Sequence, residues 1–530
     1  MARSYRPVVR DQEFLLPPNM AEWLPEDHLV WFVLDVVEQL DTSRFHAARR
    51  TGGAGRQGYD PDLLLALLLY SYAVGERSSR RIERLCVDHV AFRVVCAQDV
   101  PDHTTIARFR AEHQDAFAEV FAQVLRLCAN QGMVKVGTVA IDGTKIAANA
   151  ARGAGRSADA VRQEARRLAE EIVAEAAAVD AAEGAAERGR GGSDDDLPPG
   201  FADRGGRAAN IKKALEELER QDEAHRKVDE VERAHLNDRL RRLEAGEGIP
   251  GPVPAGMDPV VWWQTRIAGL QQILHTYQGI PGEKANQKRC KARSDLKRAQ
   301  QALERDRAKA AAGDLDRRGL AQRKRDRRDR KARERGGTSR SVNVTDPDSR
   351  LMTHGSGGGS VQGYNAQIAV TDDHLVVGVH VSQDANDTHC FEPTLRAAQQ
   401  ATTDLGLEIG TVLADAGYFT DHNLTLAGPD RLIAPGKNRE VLAEARQAPA
   451  SGTPPADAAL KDAMRHRLRQ PAAAELYKRR SATVETVIAH LKDQAGLRRF
   501  SRRGLTAVTA ELHLAAAVIN IRRMHAATST

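Results

Sequence analysis

The chain lacks most of the features that would place it at once. Its 530 residues include five cysteines, Cys86, Cys96, Cys128, Cys290 and Cys390. None belongs to a CxxC pair and no histidine cluster accompanies them, which argues against a zinc knuckle or a disulfide framework and fits a reducing cytoplasm. Cys390 follows His389, a pair without further ligands that reads as ordinary core or surface. The opening Met1-Ala2-Arg3-Ser4-Tyr5-Arg6 has no apolar stretch, so no signal peptide is expected. The longest apolar run, Leu63 to Tyr70, is too short to span a bilayer. The expectation is a soluble, cytoplasmic protein without a membrane partner.

What is present is charge, with a basic surplus. Net charge is +6 and 28% of residues are charged, a balance that suits a polyanionic partner. The length corresponds to about three or four domains. Residues 1–130 read as a helical domain. Pro25-Glu26-Asp27-His28 opens a helix through Trp31, Phe32, Leu34 and Val37. Asp60 caps, and Pro61 starts, a second helix from Leu63 to Val74 that is apolar all round and so buried. Gly75 to Ile82 leads into an arginine-rich helix with Arg77, Arg80 and Arg81, and Pro101 to Arg110 forms another with Arg108 and Arg110. This pair is compatible with a DNA-reading helix-turn-helix, and equally with a solvated cationic face.

Residues 131–150 hold a first strand, with Val134, Val136, Val139 and Ile141 leading to a strand end at Asp142. Residues 151–345 read as a helical, basic insertion. Val161, Ala165, Leu168 and Ile172 have heptad spacing, Gly189 to Gly206 reads as a linker, and Ile211, Leu215 and Leu218 begin another amphipathic helix that breaks near Gly246 to Pro250. Trp262 and Trp263 lie in a third helix. A fourth, from Glu283, ends in the basic run Arg323 to Lys331, which reads as a phosphate grip or a solvated face.

Residues 346–530 return to strands beyond Gly355 to Gly359. Gln362, Tyr364, Ala366, Ile368 and Val370 alternate, turn at Thr371 to His374, and pair with Leu375 to Val381 as a hairpin. A helix over Phe391–Thr402, a strand ending at Asp415, a short helix near Thr420, a strand over Arg431–Ala434 and helices over 459–493 and 505–525 complete the chain. Asp384, Asn386 and Asp387 read as a polar loop capping the helix from Phe391, and second as supporting acids. With the insertion set aside, this is the order of an RNase H-like α/β fold.

Two segments carry the chemistry. Val139 to Lys145 and Val412 to Tyr418 are apolar runs that each deliver an aspartate, Asp142 and Asp415, with a glycine within two residues after it. A lone strand-end aspartate is usually a turn former. Two of them, with Glu485 on a later basic-flanked helix, are the parts needed to hold two divalent cations for phosphoryl transfer on DNA.

In Ile141-Asp142-Gly143-Thr144-Lys145, Gly363 to Gln367, Ala414-Asp415-Ala416-Gly417-Tyr418 and the late run Tyr477 to Lys492, the chain resembles the bacterial insertion-sequence DDE transposases. The N-terminal Tyr59-Asp60-Pro61 and Arg77 to Arg81 are similar to the helical domain these proteins carry. The resemblance implies Asp142, Asp415 and Glu485 as catalytic, metal-binding triad, Mg²⁺ or Mn²⁺ as cofactor, and DNA contacts from Lys145, Tyr477, Arg480 and Lys492. It further implies binding of terminal inverted repeats, cleavage and strand transfer into target DNA, and a homo-oligomer to which the heptad-like insertion would contribute.

The late helix departs from the common spacing of Tyr, Arg, Glu and Lys, with gaps of two, four and six residues instead of two, three and six. At about 100° per residue, Lys492 stays within about 20° of Glu485 while Arg480 is turned about 140° away. Either the helix is irregular near Ser481, or Arg480 does something other than hold the scissile strand. Two other readings stay open: a transposase-derived DNA-binding protein without catalysis, and a metal-dependent nuclease of similar fold that does not join strands.

Overall fold

The computed structural model describes residues 19–47, 58–168, 170, 200–244, 259–311, 341–353, 359–455 and 458–528. Its strands, in chain order, are β1 (Thr138–Ala147), β2 (Gly155–Ser157), β3 (Ser341–Asn343), β4 (Arg350–Thr353), β5 (Ser360–Thr371), β6 (Val376–Ser382), β7 (Thr411–Ala414) and β8 (Asp430–Ile433). The chain divides into two compact units, one of residues 1–154 with 345–530 and the other of residues 155–344.

In the first unit a mixed sheet runs β4-β5-β1-β7-β8, and β6 also pairs with β5. The long β5 has β4 along its first half and β6 along its second. The hairpin expected between β5 and β6 is present, closed by Thr371 to Leu375. β1 is antiparallel to β5 and parallel to β7, which is parallel to β8. The β-branched runs on β1, β5 and β7 are buried on both faces, as central strands require. β4 has no counterpart among the strands expected from the sequence; its neighbours 354–358, within the glycine run, lie outside the described residues.

One sequence expectation is overturned here. β1 does not end at Asp142: it continues through Gly143-Thr144-Lys145 to Ala147, with Asp142 opposite Ile368 and Gly143 opposite Gln367. Gly143 is therefore not a turn residue. A Cβ there would stand 2.1 Å from Gln367 Nε2, so the glycine makes room for a neighbouring side chain.

The N-terminal helices obey their caps. His28 caps Leu29–Glu38, Asp60 accepts from Asp62 N ahead of Pro61–Ala73, and Asp102 accepts from Thr104 N and Thr105 N ahead of His103–Glu112. Between the two arginine-bearing helices, Ser79–Asp88 and His103–Glu112, a further short helix, Val90–Val95, intervenes. The C-terminal helix Leu505–Thr528 packs on Phe117–Asn130, Pro61–Ala73 and β6. It is long and apolar enough to cross a membrane, yet 72% of its apolar window is buried, which makes it the central core helix of the unit. The helix expected over 459–493 is two, Leu460–Leu468 and Pro471–Asp493, since Pro471 starts a new one. A further helix, Asn438–Gln447, lies where the sequence reading places none.

In the second unit, Pro259–Thr276 and Glu283–Ala311 pack as an antiparallel hairpin around Leu270, Ala292 and Ala299, with Trp263 Nε1 donating to Asp306 Oδ2 at 2.9 Å. Gly200–Glu244 is one long helix, so the end of the expected linker, from Gly200, is helical. Val161 packs with Ala158, Ala214, Leu218 and Val342. Ile172, the start of the linker, the break at Gly246 to Pro250 and the basic run Arg323 to Lys331 lie outside the described residues.

Two buried polar clusters fasten the first unit. Arg77 donates to Glu511 at 2.8 Å and to the carbonyls of Arg499 and Gly496 at 2.6 Å each, with its side chain 15% and that of Glu511 1% exposed. Asp346 Oδ1 accepts from the Tyr364 hydroxyl at 2.8 Å and from Gly504 N at 3.1 Å. Removing one partner of a buried pair strands the other charge, so Arg77→Ala should destabilise the protein by about 3 kcal/mol, measured by denaturant titration. Burial raises the Asp346 carboxyl above its ordinary 3.8, so the stability tied to its protonated form is lost as pH rises through the folded value. Asp346→Asn keeps an acceptor for both donors. It should melt higher than wild type at pH 8, with the gap closing as pH falls towards 3.8.

Candidate active site

The pairing of β1 with β7 builds the site. Ile141 stands opposite Ala414 in parallel register, so the next residue on each strand is an aspartate, Asp142 and Asp415. Asp142 Oδ1 accepts from Gly143 N at 2.7 Å and Oδ2 accepts from Arg480 Nη1 at 2.9 Å. Asp415 comes directly after the last residue of β7 and caps the short turn Ala416–Tyr418, accepting from Gly417 N at 2.8 Å. Burial pushes Asp142 up to about 6, opposed by the Arg480 charge and assisted by the Asp415 charge. Asp415 is also raised, first by burial, with the Gly417 amide and Arg480 pulling the other way and Asp387 adding to the rise.

Helix Pro471–Asp493 lies over these acids and is continuous through Ser481. Tyr477, Arg480, Val484, Val487 and Leu491 form its buried stripe, at the i, i+3, i+4 spacing of an apolar face. Of the two explanations for the altered spacing, irregularity is therefore excluded. Arg480 lies on the packed face, its side chain 7% exposed, and reaches both Asp142 and, at 3.7 Å, Glu485 Oε1. Glu485 is one position off that stripe and its side chain is 61% exposed. Lys492 is half-buried, and burial lowers its ammonium while the Asp142 charge holds it up.

The structure brings together Asp142, Asp415, Arg480, Glu485 and Lys492, and places other expected residues elsewhere. Tyr477, expected at DNA, is buried and donates to the Ala414 carbonyl at 3.2 Å, supporting β7 from behind. Lys145 donates to the Thr353 carbonyl. Among the N-terminal arginines, Arg80, Arg81 and Arg108 are exposed, with Arg81 paired to Glu76 at 2.8 Å. Arg77 and Arg110 are engaged by partners within the protein. Arg77 is held by Glu511, and the buried Arg110 donates to the Arg77 carbonyl at 2.8 Å and to Ser79 Oγ.

Asp387, read from the sequence first as part of a loop capping the next helix and second as a supporting acid, stands beside the two aspartates. Its main chain does accept from Cys390 N at the start of the next helix. Its carboxylate, however, takes the Asn365 and Gln367 side-chain amides, both at 2.8 Å, and lies beside Gly143 and Gly417. The buried Tyr418 hydroxyl donates to Gln367 Oε1, extending the network. The signal available in the sequence was the alternation Asn365-Ala366-Gln367, two amides on one face of a central strand.

The chemistry of the donor set is that of a hard-cation site, since carboxylate oxygens are the ligands that Mg²⁺ and Mn²⁺ take. Arg480, a fixed cation between Asp142 and Glu485, already occupies a position where positive charge is favoured. Among the described residues, the trio with ligand atoms all within 4.8 Å of one another is His46, Asp60 and Asp62. There Asp60 caps a helix and His46 pairs with Asp62 at 3.0 Å.

A family model described as a transposase DDE domain matches residues 298–521, and one described as a transposase domain (DUF772) matches residues 18–112. The first spans Asp415 and Glu485; Asp142 precedes it. No curated protein and no solved structure matches the chain. The DDE domain implies an RNase H-like core, in keeping with the mixed sheet flanked by helices. Together the two transposase domains in one chain indicate an insertion-sequence DDE transposase.

Proposed function

We propose that this transposase recognises the terminal inverted repeats of its own element, cuts them by metal-dependent hydrolysis and joins the 3′ ends to target DNA. The observation that carries the reading is the register of β1 on β7, which sets Asp142 and Asp415 side by side beneath a helix bearing Arg480 and Glu485. The family generally uses divalent metal ions, and Mg²⁺, with Mn²⁺ as a substitute, is the proposed cofactor.

Asp142, Asp415 and Glu485 would hold the metal. Bound there, it lowers the pKa of an attacking water or orients a DNA 3′-hydroxyl and stabilises the leaving oxygen. Arg480 keeps Asp142 ionised against its burial and holds it towards the helix. Lys492, within the field of Asp142, is the proposed contact for a phosphate beside the scissile one, and Lys145 for one further along β1. Arg80, Arg81 and Arg108 are the proposed backbone contacts of the N-terminal helices, where positive side chains displace condensed counterions. Joining two ends in one event calls for two protomers, so a homo-oligomer is proposed, with the helices of residues 155–344 contributing to it.

The test is cleavage of DNA carrying the sequences that flank the gene, with Mg²⁺ and with EDTA. Wild type should cut at defined ends and yield joined product, and Asp142→Asn and Asp415→Asn should each lose on the order of 10³-fold or more of that rate. Tight binding without cleavage in any protein would leave a DNA-binding relic, and cuts without joined product would leave a nuclease. In binding measured against salt, Arg80→Ala combined with Arg108→Ala should flatten the slope of log K on log salt by about 2. An unchanged slope would remove these arginines from the interface.

A further inference from the structure

We propose that Asp387 is a further ligand of the metal centre, sharing with Asp415 a divalent cation; this rests on the metal-dependent reading above. Asp387 precedes the helix Phe391–Thr403 and belongs to none of the three acids that the sequence singles out. Its two oxygens have different surroundings. Oδ1 accepts from Asn365 Nδ2 and from Gln367 Nε2, each at 2.8 Å. Two neutral amides on one oxygen orient the carboxylate and leave Oδ2 to face the turn at Gly417. The position a Cβ on Gly417 would take is 3.3 Å from Asp387 Oδ2 and 3.1 Å from Asp415 Oδ1. Both carboxylates therefore border the gap left beside residue 417, near enough that the Asp387 charge acts on Asp415, and carboxylate oxygens are the ligands that Mg²⁺ and Mn²⁺ take; Asp415 Oδ1 also accepts from Gly417 N at 2.8 Å.

The surrounding loops are fixed so that the gap persists. Thr388 Oγ1 donates to the Gly417 carbonyl at 3.3 Å, and Asn423 Nδ2 donates to the carbonyls of Thr388 at 3.0 Å and Tyr418 at 2.9 Å. Gln367 is itself held by the Tyr418 hydroxyl. Two like charges held this close without a cation repel each other, whereas a shared divalent ion turns the same arrangement into a coordination site.

The proposal is tested on the full-length protein by counting bound Mn²⁺ from the spectrum of the free ion, for wild type, Asp387→Asn and Asp415→Asn. Asparagine at 387 still offers one oxygen to the two amides, so its melting temperature should stay near that of wild type while Mn²⁺ affinity falls at least about tenfold. Wild-type affinity in Asp387→Asn, with binding lost in Asp415→Asn, overturns the proposal and leaves the metal reading standing. Equal Mn²⁺ binding in wild type and Asp415→Asn overturns both. A second measurement needs no variant. Fe²⁺ loaded in place of Mg²⁺, with ascorbate and peroxide, generates hydroxyl radicals that cut the chain near the ion. Cuts at residues 384–388 as well as 415–418 support the assignment, and cuts at 415–418 alone overturn it.

Discussion

Strands β1 and β7 run parallel with Ile141 opposite Ala414, and the site depends on the aspartate that comes next on each strand. Adjacent strands lie about 4.8 Å apart, so successive residues on the two strands must be neighbours. Asp142 is kept in the ladder by β5, which pairs with β1 through Ala147. Asp415 is released from it, because β7 stops at Ala414. One acid is thus fixed by a strand and the other by a capped turn. Burial on both faces of β1 and β7 forbids a register slip, which would bring charged residues into the core.

The second determinant is the charge balance of the centre. Moving Asp142 from 3.8 to about 6 corresponds to on the order of 3 kcal/mol against its ionised form. That net cost already includes the opposing charge of Arg480, which lies beside Asp142 and Tyr477. A buried pair of this kind adds little net stability relative to apolar packing. It does hold the Asp142 carboxylate towards the helix that carries Glu485. Glu485, exposed and one step off the packed stripe of its helix, is the acid with most freedom to adjust.

Much of this arrangement is legible in the sequence. The N-caps Asp60 and Asp102, the β5–β6 hairpin and the strand before Asp415 arise from local chemistry that tertiary contacts do not override. Three features are not legible there. The continuation of β1 past Asp142 is hidden because glycine ordinarily signals a turn, whereas Gly143 is there to admit Gln367. The role of Arg480 is obscured because angular position on a wheel ignores the reach of a long side chain. Arg77 and Arg110 read as phosphate ligands because a sequence shows charge without its partner, and Glu511 lies more than four hundred positions away from Arg77.

Asp387 is legible only in part, since the sequence offers it as a supporting acid only second to a helix-capping loop. Read along the chain, an aspartate just before a helix is a cap, and its main chain does serve that helix. What assigns the carboxylate elsewhere is a pair of amides two residues apart on β5 and two glycines on other strands or turns, none near it in sequence. Glycines flanking acids at the end of a sheet are usually credited to backbone freedom. Here Gly143 and Gly417 act by the volume they do not fill, and that volume is bordered by the carboxylates of Asp387 and Asp415. The acidic end of this sheet is accordingly defined as much by where side chains are missing as by where charges stand.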